Sequence, residues 1–416
     1  MQSSASAPRM TGGEFRAALS LGSIFALRML GLFLILPVFA VHAPALRGGD
    51  DLALVGLALG AYGLTQGFLQ IPYGIAADRY GRKRVIMLGL LLFAAGSFVA
   101  AVGTDIWVTI IGRCMQGAGA ISAAVMALAA DLTREEQRTK TMAIIGSSIG
   151  LMFALSLVGA PTLYRWIGMG GIFALTGILA LGAIVVLYRL VPAEPVLYDP
   201  AAADIEAPTL WQVLQDVELL RLNFGIFALH MAQMAMFVVV PPLLVEYAGL
   251  PVERHWLVYL PVVLASFVLM VPALMAAERH GRAKRIFIGS ICLLVVVQLG
   301  YSLGAYSLAW QITLLLGFFV AFNILEASLP SLVSRIAPPA AKATALGVYN
   351  TTQSLGLFVG GALGGWLAKH YGSGSVFLFG VVVLTIWAVI AIGMKVPAPR
   401  RSATTTVVHT AGPERL

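Results

Sequence analysis

The chain has 416 residues, 27 Lys and Arg against 19 Asp and Glu, and a formal net charge of +8. Only 11% of it is charged and 59% is hydrophobic, where a soluble domain carries about 25% charge. That balance excludes a water-soluble globular protein, and the two cysteines, Cys114 and Cys292, both within apolar runs, offer no basis for a disulfide framework or a metal centre.

In chain order, apolar runs long enough to cross the hydrocarbon lie at 17–42, 52–77, 85–103, 106–130, 142–163 and 168–191, then at 222–246, 255–277, 285–304, 308–333, 343–368 and 374–395. Lipid offers no partner to a free backbone N–H or C=O, so each run is expected to be helical. The expected fold class is all-α integral membrane, with twelve transmembrane helices. Arg9 and Arg16 precede the first run as in a signal peptide, but that run is too long for one and holds Arg28 in its middle. With a cytoplasmic N-terminus, 21 of the 27 basic residues fall on the cytoplasmic side and only Arg47, Arg165, Arg254 and Lys369 outside. Both termini are therefore expected in the cytoplasm. The positive charge reports topology and makes no case for a nucleic-acid partner.

The chain also repeats itself. I-F-A-L-R-M at 24–29 returns as I-F-A-L-H-M at 226–231, and A-A-D-R-Y-G-R-K-R at 76–84 as A-A-E-R-H-G-R-A-K at 276–284. Gly146 and Gly159 have counterparts in Gly347 and Gly360 at nearly the same offset. A duplicated six-helix unit explains all three, as parallel repeats about an axis along the membrane normal. The expected units are an N-terminal half at 1–191, a cytoplasmic linker at 192–221, a C-terminal half at 222–395 and a disordered tail at 396–416. The linker holds four prolines and six acids, two of the acids within its closing stretch T-L-W-Q-V-L-Q-D-V-E-L-L-R-L, whose spacing predicts a helix lying on the cytoplasmic membrane surface.

The repeated charge knots occupy the short cytoplasmic turns after spans 2 and 8. A positive-inside anchor accounts for Arg79, Arg82, Lys83 and Arg84 but not for Gly74, Asp78 or Gly81. Gly81 permits a turn with positive φ, and Gly74 a close helix approach. Asp78 can face the partial positive charge at the start of span 11. Glu278, followed by Arg282 in the second copy, can face the start of span 5 in the same way.

Within the spans, ionisable residues are few: Arg28, Arg113, His230 and Glu326, in spans 1, 4, 7 and 10. Each costs roughly 2.5–3.5 kcal/mol to insert, and such residues usually line a cavity. Glu326 is the only carboxylate well inside a span. Counted from the cytoplasmic ends, His230 and Glu326 both lie about 12–14 Å deep, so they can meet. Histidine changes charge near physiological pH, which suits a proton relay. Tyr62, Gln66 and Gln70 share one face of span 2, and Gln116, Gln233, Asn323, Asn350 and Gln353 add polar groups to other spans. Each reads equally as a substrate contact or as an interhelical hydrogen bond. Met231, Met234, Met236 and Phe322 would give a greasy, adaptable pocket suited to amphipathic substrates.

G-x-x-x-D-R-x-G-R-K at 74–83 resembles the signature loop of the major facilitator superfamily, and R-C-M-Q-G-A-G-A at 113–120 its span 4 motif in proton-coupled members. The resemblance covers nearly the whole chain. A-L-R-M-L-G at 26–31, A-V-M-A-L at 124–128 and D-L-T-R-E at 131–135 are similar to a branch of bacterial inner-membrane drug exporters. It implies two pseudo-symmetric six-helix halves, with spans 1, 4, 7 and 10 lining a central pathway. It also implies a latch in which Asp78 meets the start of span 11 and Arg82 pairs with Asp131, the second copy being degraded where Ala283 replaces Lys83. His230 and Glu326 match a proton-coupling pair. Two departures stand out: that branch often has a further cytosolic domain, and the span 5 antiporter motif reads Gly159-Ala160-Pro161 with altered spacing.

The resulting expectation is a secondary active transporter in the cell inner membrane, monomeric, exporting small amphipathic molecules in exchange for protons. Proton-driven uptake of a metabolite, or a membrane sensor or scaffold without transport, are the alternatives. No nucleotide-binding G-x-x-x-x-G-K-[ST] loop, nucleophile–base cluster or metal spacing is present, so neither an enzyme nor a cofactor is expected.

Overall fold

The computed structural model describes residues 10–194, 210–279, 281–304, 307–338 and 342–395, so the tail at 396–416 and the linker residues 195–209 lie outside it. Apart from one bridge between Arg47 and Asp105, regular structure there is helical. α1 (Gly12–Phe33) opens on a capping box, Thr11 accepting from Glu14 N and the Glu14 carboxylate accepting from Thr11 N. The chain breaks after Phe33, and Pro37 in the first turn restarts it as α2 (Leu36–His42). α3 (Leu52–Tyr80) is capped by Asp51 and ends at Gly81, whose φ of 95° a side-chain-bearing residue would resist. α4 (Arg82–Ala101) follows at once. α5 (Ile106–Ala118) and α6 (Ser122–Asp131) are parted at Gly119.

α7 (Glu135–Arg189) has 55 residues, about 80 Å if straight and far more than the ~30 Å of hydrocarbon. Gly168, at φ 64° and ψ −176°, breaks it into two arms. After α8 (Leu210–Gln215) come α9 (Val217–Glu246), α10 (Trp256–Arg279), α11 (Ala283–Ser302), α12 (Leu308–Ile336), α13 (Lys342–Tyr371) and α14 (Ser373–Ile392). Among the described residues ten helical stretches are long and apolar enough to cross a membrane; the arms of α7 count there as one, and α13 is not among the ten. The single amphipathic helix expected along the linker is instead cut short. Asp216 stops α8 and caps α9, accepting from Glu218 N and Leu219 N.

α13 runs between α3 and α9 on glycines. A methyl added at Gly360 would lie 2.2 Å from Met231 O of α9, and one at Gly56 of α3 would lie 2.1 Å from Gly361 O. The α3–α13 contact is graded along its length. At Gly60 and Gly63 an added methyl would meet backbone oxygens at 2.7 and 2.4 Å, and at Gly67 the nearest α13 atoms are 3.5 Å away. At Gly74 the only neighbour within reach is Ala123 of α6, at 3.7 Å. The two helices therefore touch backbone to backbone at the Asp51 end and part toward the Asp78 end.

A candidate proton-coupling site and its surroundings

His230 on α9 and Glu326 on α12 are brought together, Nε2 lying 3.8 Å from Glu326 Oε2. The imidazole is held on three sides. Nδ1 is 3.3 Å from Ile226 O, Nε2 is 2.7 Å from Gln353 Nε2 of α13, and the Phe322 ring stands edge-on at 5.7 Å. With Nδ1–H donating to the Ile226 carbonyl, Nε2 accepts from the Gln353 amide, which is the neutral tautomer. Glu326 Oε2 and the Tyr349 hydroxyl are then buried without a hydrogen-bond partner. A buried polar atom left so carries a desolvation penalty of about 1–3 kcal/mol, less at Glu326, whose side chain as a whole is 36% exposed.

Not every expected neighbour joins this cluster. Asn323, one turn before Glu326, donates to Ser266 Oγ of α10 at 3.0 Å. Gln233 is buried within α9, and Asn350 is half-buried on α13.

A second cluster lies among the helices before residue 192. Two guanidinium groups lie over the Tyr62 ring, Arg28 at 5.7 Å and Arg113 at 5.1 Å from its centroid, a cation–π arrangement. Arg28, 1% exposed, donates to Ser122 Oγ at 3.0 Å and reaches Gln66 Oε1 at 3.5 Å. Its Nε, the Tyr62 hydroxyl and both amide atoms of Gln70 are buried without partners. Arg113 is used differently. It donates to Ala58 O and Leu59 O of α3, both at 3.3 Å, and to Gln116 Oε1 at 2.8 Å. Gln116 passes the chain on to Ser97 Oγ of α4, which also accepts from Thr176 of α7. Gly117 and Gly119 let α5 reach α3 and α4, since methyls there would lie 2.1 Å from Tyr62 O and 2.4 Å from Gly89 O. The R-C-M-Q-G-A-G-A stretch thus joins α3, α4, α5 and α7 through a satisfied polar network.

At the repeated loop, Arg82 pairs with Asp131 through Nε and with Asp78 through a second nitrogen at 3.2 Å. The Asp78 carboxylate is 69% exposed, and α13 has already left α3 one turn earlier, at Gly74. Arg79 is exposed over the Tyr80 ring. Lys83 Nζ donates to Val191 O at 2.8 Å, closing the end of α7. In the second copy the Glu278 side chain lies outside the described residues, and Arg282 is exposed ahead of α11. Lys284 Nζ donates to Ile392 O at 2.7 Å. It makes there the bond Lys83 makes in the first copy, so Ala283 does not cost the second loop its lysine clamp.

Three contacts escaped sequence reasoning. Lys369 Nζ lies 2.7 Å from Asp51 Oδ2, and its bond holds the Asp51 carboxyl below the usual carboxylate range. Glu14 takes two guanidinium nitrogens and the backbone N–H of Arg134, joining the start of α1 to the start of α7. The T-G-G-E capping box was the available signal for it. Glu194 caps α4, with nothing in the proline- and acid-rich linker to mark it out.

Comparison with known proteins follows the same lines. The profile of the Major Facilitator Superfamily matches residues 21–361 and 222–410. The inner membrane transport protein YajR of Escherichia coli K12 is 43% identical over 390 residues, 94% of this chain and 85% of that one. Multidrug resistance protein MdtH of Yersinia enterocolitica is 27% identical over 84% of this chain and 87% of its own. The crystal structure of a D-xylose-proton symporter superimposes with a TM-score of 0.73 over 93% of this chain and 99% of that one, at 18% identity. With this match over most of its length, the chain belongs to the major facilitator superfamily and is a multi-pass membrane protein of a transporter family.

Proposed function

We propose that the chain is a secondary active transporter that exports small amphipathic molecules in exchange for protons by alternating access, with Glu326 and His230 as its proton-coupling pair. The observation carrying this reading is the Glu326 carboxylate, 3.8 Å from His230 Nε2 and with Oε2 buried and unbonded. A proton arriving on His230 Nε2 turns that nitrogen from acceptor to donor. It can then no longer accept from the Gln353 amide, and Glu326 is the acceptor at hand. The pair can therefore hold or hand on one proton while Gln353, on α13, changes partner. That links protonation to a helix at the junction with α3. The name of MdtH, a multidrug resistance protein, supports the export of varied compounds.

In the same reading the chain has twelve crossings, taking the arms of α7 separately and adding α13. They form two six-helix halves, in a monomer of the inner membrane with both termini in the cytoplasm. The Asp51 end then faces outward and is closed, and the Asp78 end opens inward. An exposed Asp78, away from α13, fits that state. Closure at this end would bring α13 to Asp78 as the Asp51 end opens, and contacts of about 0.3–1 kcal/mol each bias such an exchange without locking it. Uptake by symport is the second reading, favoured by the altered Gly159-Ala160-Pro161 stretch, where an added methyl on Gly159 meets nothing within 4 Å.

The test is the collapse of a respiration-generated pH gradient in everted membrane vesicles, screened with lipophilic cations, antibiotics and small metabolites. Compound-dependent proton efflux in wild type, absent in Glu326→Gln, supports antiport and identifies the substrate class. Silence in inserted wild type overturns the proton-antiport reading.

A further inference from the structure

We propose that Glu194, the first acid of the linker, is a positioning residue for the repeated loop: it caps α4 and thereby holds Arg82 on Asp131 as the latch engages and releases. The proposal rests on the alternating-access reading above.

α4 begins directly after Gly81, which as N-cap has no side chain to satisfy the first free N–H groups. Glu194 supplies the missing acceptors. Its Oε1 accepts from Arg82 N at 2.6 Å and its Oε2 from Lys83 N at 3.4 Å. Its negative charge also meets the positive end of the helix. Lys83 fastens the same segment from the other side through Val191 O. A methyl on Gly81 would lie 3.6 Å from Glu194 Oε2, so this glycine both makes the turn and leaves room for the carboxylate.

Arg82 is thus held twice. Its backbone N–H is taken by the linker, and its guanidinium by Asp131 on α6 and Asp78 on α3. Only with the backbone fixed does the guanidinium reach both acids in a set geometry.

Among the described residues the second copy shows no such buttress. Gly281 has a comparable φ of 63°, yet a methyl there would meet nothing within 4 Å. At the repeat offset from Glu194 stands Lys395, whose backbone N–H donates to Glu218 Oε2. Both loops keep the lysine clamp, but among the described residues only the first has a carboxylate under its turn. That asymmetry makes the first loop the latch.

The experiment uses the full chain in proteoliposomes, with Cys114 and Cys292 replaced by serine and spin labels at the exposed Tyr80 and Arg335. These lie in the last turns of α3 and α12. Pulsed dipolar spectroscopy then reads the separation across the Asp78 end without substrate or proton flux. The cap is made here with the Asp78 end open, so it shifts the balance only as far as the closed state, where the loop also bears the α13 contact, depends on it more. Glu194→Ala is expected to lower the closed population by at most about fivefold, the factor that loss of one whole helix cap corresponds to. Glu194→Gln, which keeps an acceptor, should fall between it and wild type. Arg16→Ala serves as control: Arg16 bonds to Arg189 O and Leu190 O and so fixes the same chain segment without touching the loop. It should leave the distribution unchanged.

An unchanged distribution in Glu194→Ala with a lowered unfolding temperature reduces Glu194 to a structural cap and overturns the proposal. An equal shift in Arg16→Ala also overturns it, because packing of the linker end would then be the cause. A single separation in wild type under all conditions removes the alternating-access reading, and the proposal with it. Failure of proton coupling alone would show only in the vesicle assay.

Discussion

Lys369 Nζ lies 2.7 Å from Asp51 Oδ2, tying the last turn of α13 to the residue that caps α3. Lys369 lowers the Asp51 pKa in the folded protein. The bond is therefore fully formed above about pH 4, the ordinary carboxylate range, and is lost as pH falls through the lowered value. Both side chains are partly solvated, so the pair contributes about 0.2–1 kcal/mol. Asp51→Asn should lower the unfolding midpoint by a constant amount between pH 5 and 8, and the gap to wild type should close in acid. A gap that persists or widens in acid would mean that Lys369 does not act through the carboxylate.

The glycine contacts make a more severe prediction for the same end. Gly56→Ala places a methyl 2.1 Å from Gly361 O, a clash with backbone that cannot be relieved by a rotamer change. Gly74→Ala adds one at 3.7 Å from Ala123, an ordinary contact. A cysteine at Ser354, buried where α13 meets α3, should react faster with an impermeant thiol reagent in Gly56→Ala and at the wild-type rate in Gly74→Ala. Equal rates in all three would place the moving contact elsewhere.

Stability and cycling should separate at the loop. The Arg82 and Asp131 side chains are 19% and 14% exposed, and breaking such a pair leaves a charge largely out of water. Asp131→Asn should cost several kcal/mol at most, on the order of 3 if the site stays dry. Asp78→Asn, at an exposed side chain, should change stability by less than about 0.5 kcal/mol yet slow turnover, because its proposed partner engages only in the other state. Melting curves beside transport rates distinguish these outcomes.

Arg113 should behave as a strut. Arg113→Lys exchanges a fork that serves Ala58 O, Leu59 O and Gln116 for a point charge that cannot serve all three. Stability should fall by about 1–3 kcal/mol, read as thermal unfolding in detergent. Unchanged stability with altered substrate preference would make it a cavity residue instead.

Much of this was legible from spacing, and the limits are physical. Equal depth in two spans suffices to place His230 and Glu326 at one level, because helix rise is fixed. It does not give the rotation of a helix about its own axis. That is why Asn323, three residues before Glu326, turns out to serve Ser266, and why Gln353 rather than Gln233 meets His230. Arg113 can be read from the sequence as a cavity charge or as a strut, because a lone charge in an apolar span looks alike for both. The T-L-W-Q-V-L stretch has helical spacing, yet Asp216 ends the helix by satisfying the next one. Long-range partners such as Lys369 for Asp51, or Glu194 for α4, depend on which loops close on one another. No local pattern carries that information.

The most direct measurement of the central claim is proton movement per substrate moved in proteoliposomes, wild type against Glu326→Gln, with the substrate taken from the vesicle screen and imposed as a gradient. Wild type is predicted to move protons against the substrate flow. Glu326→Gln should be inserted and folded, and should carry substrate down its gradient with no accompanying proton movement. A Glu326→Gln protein that still moves protons in step with substrate would contradict the assignment of this carboxylate as the coupling group.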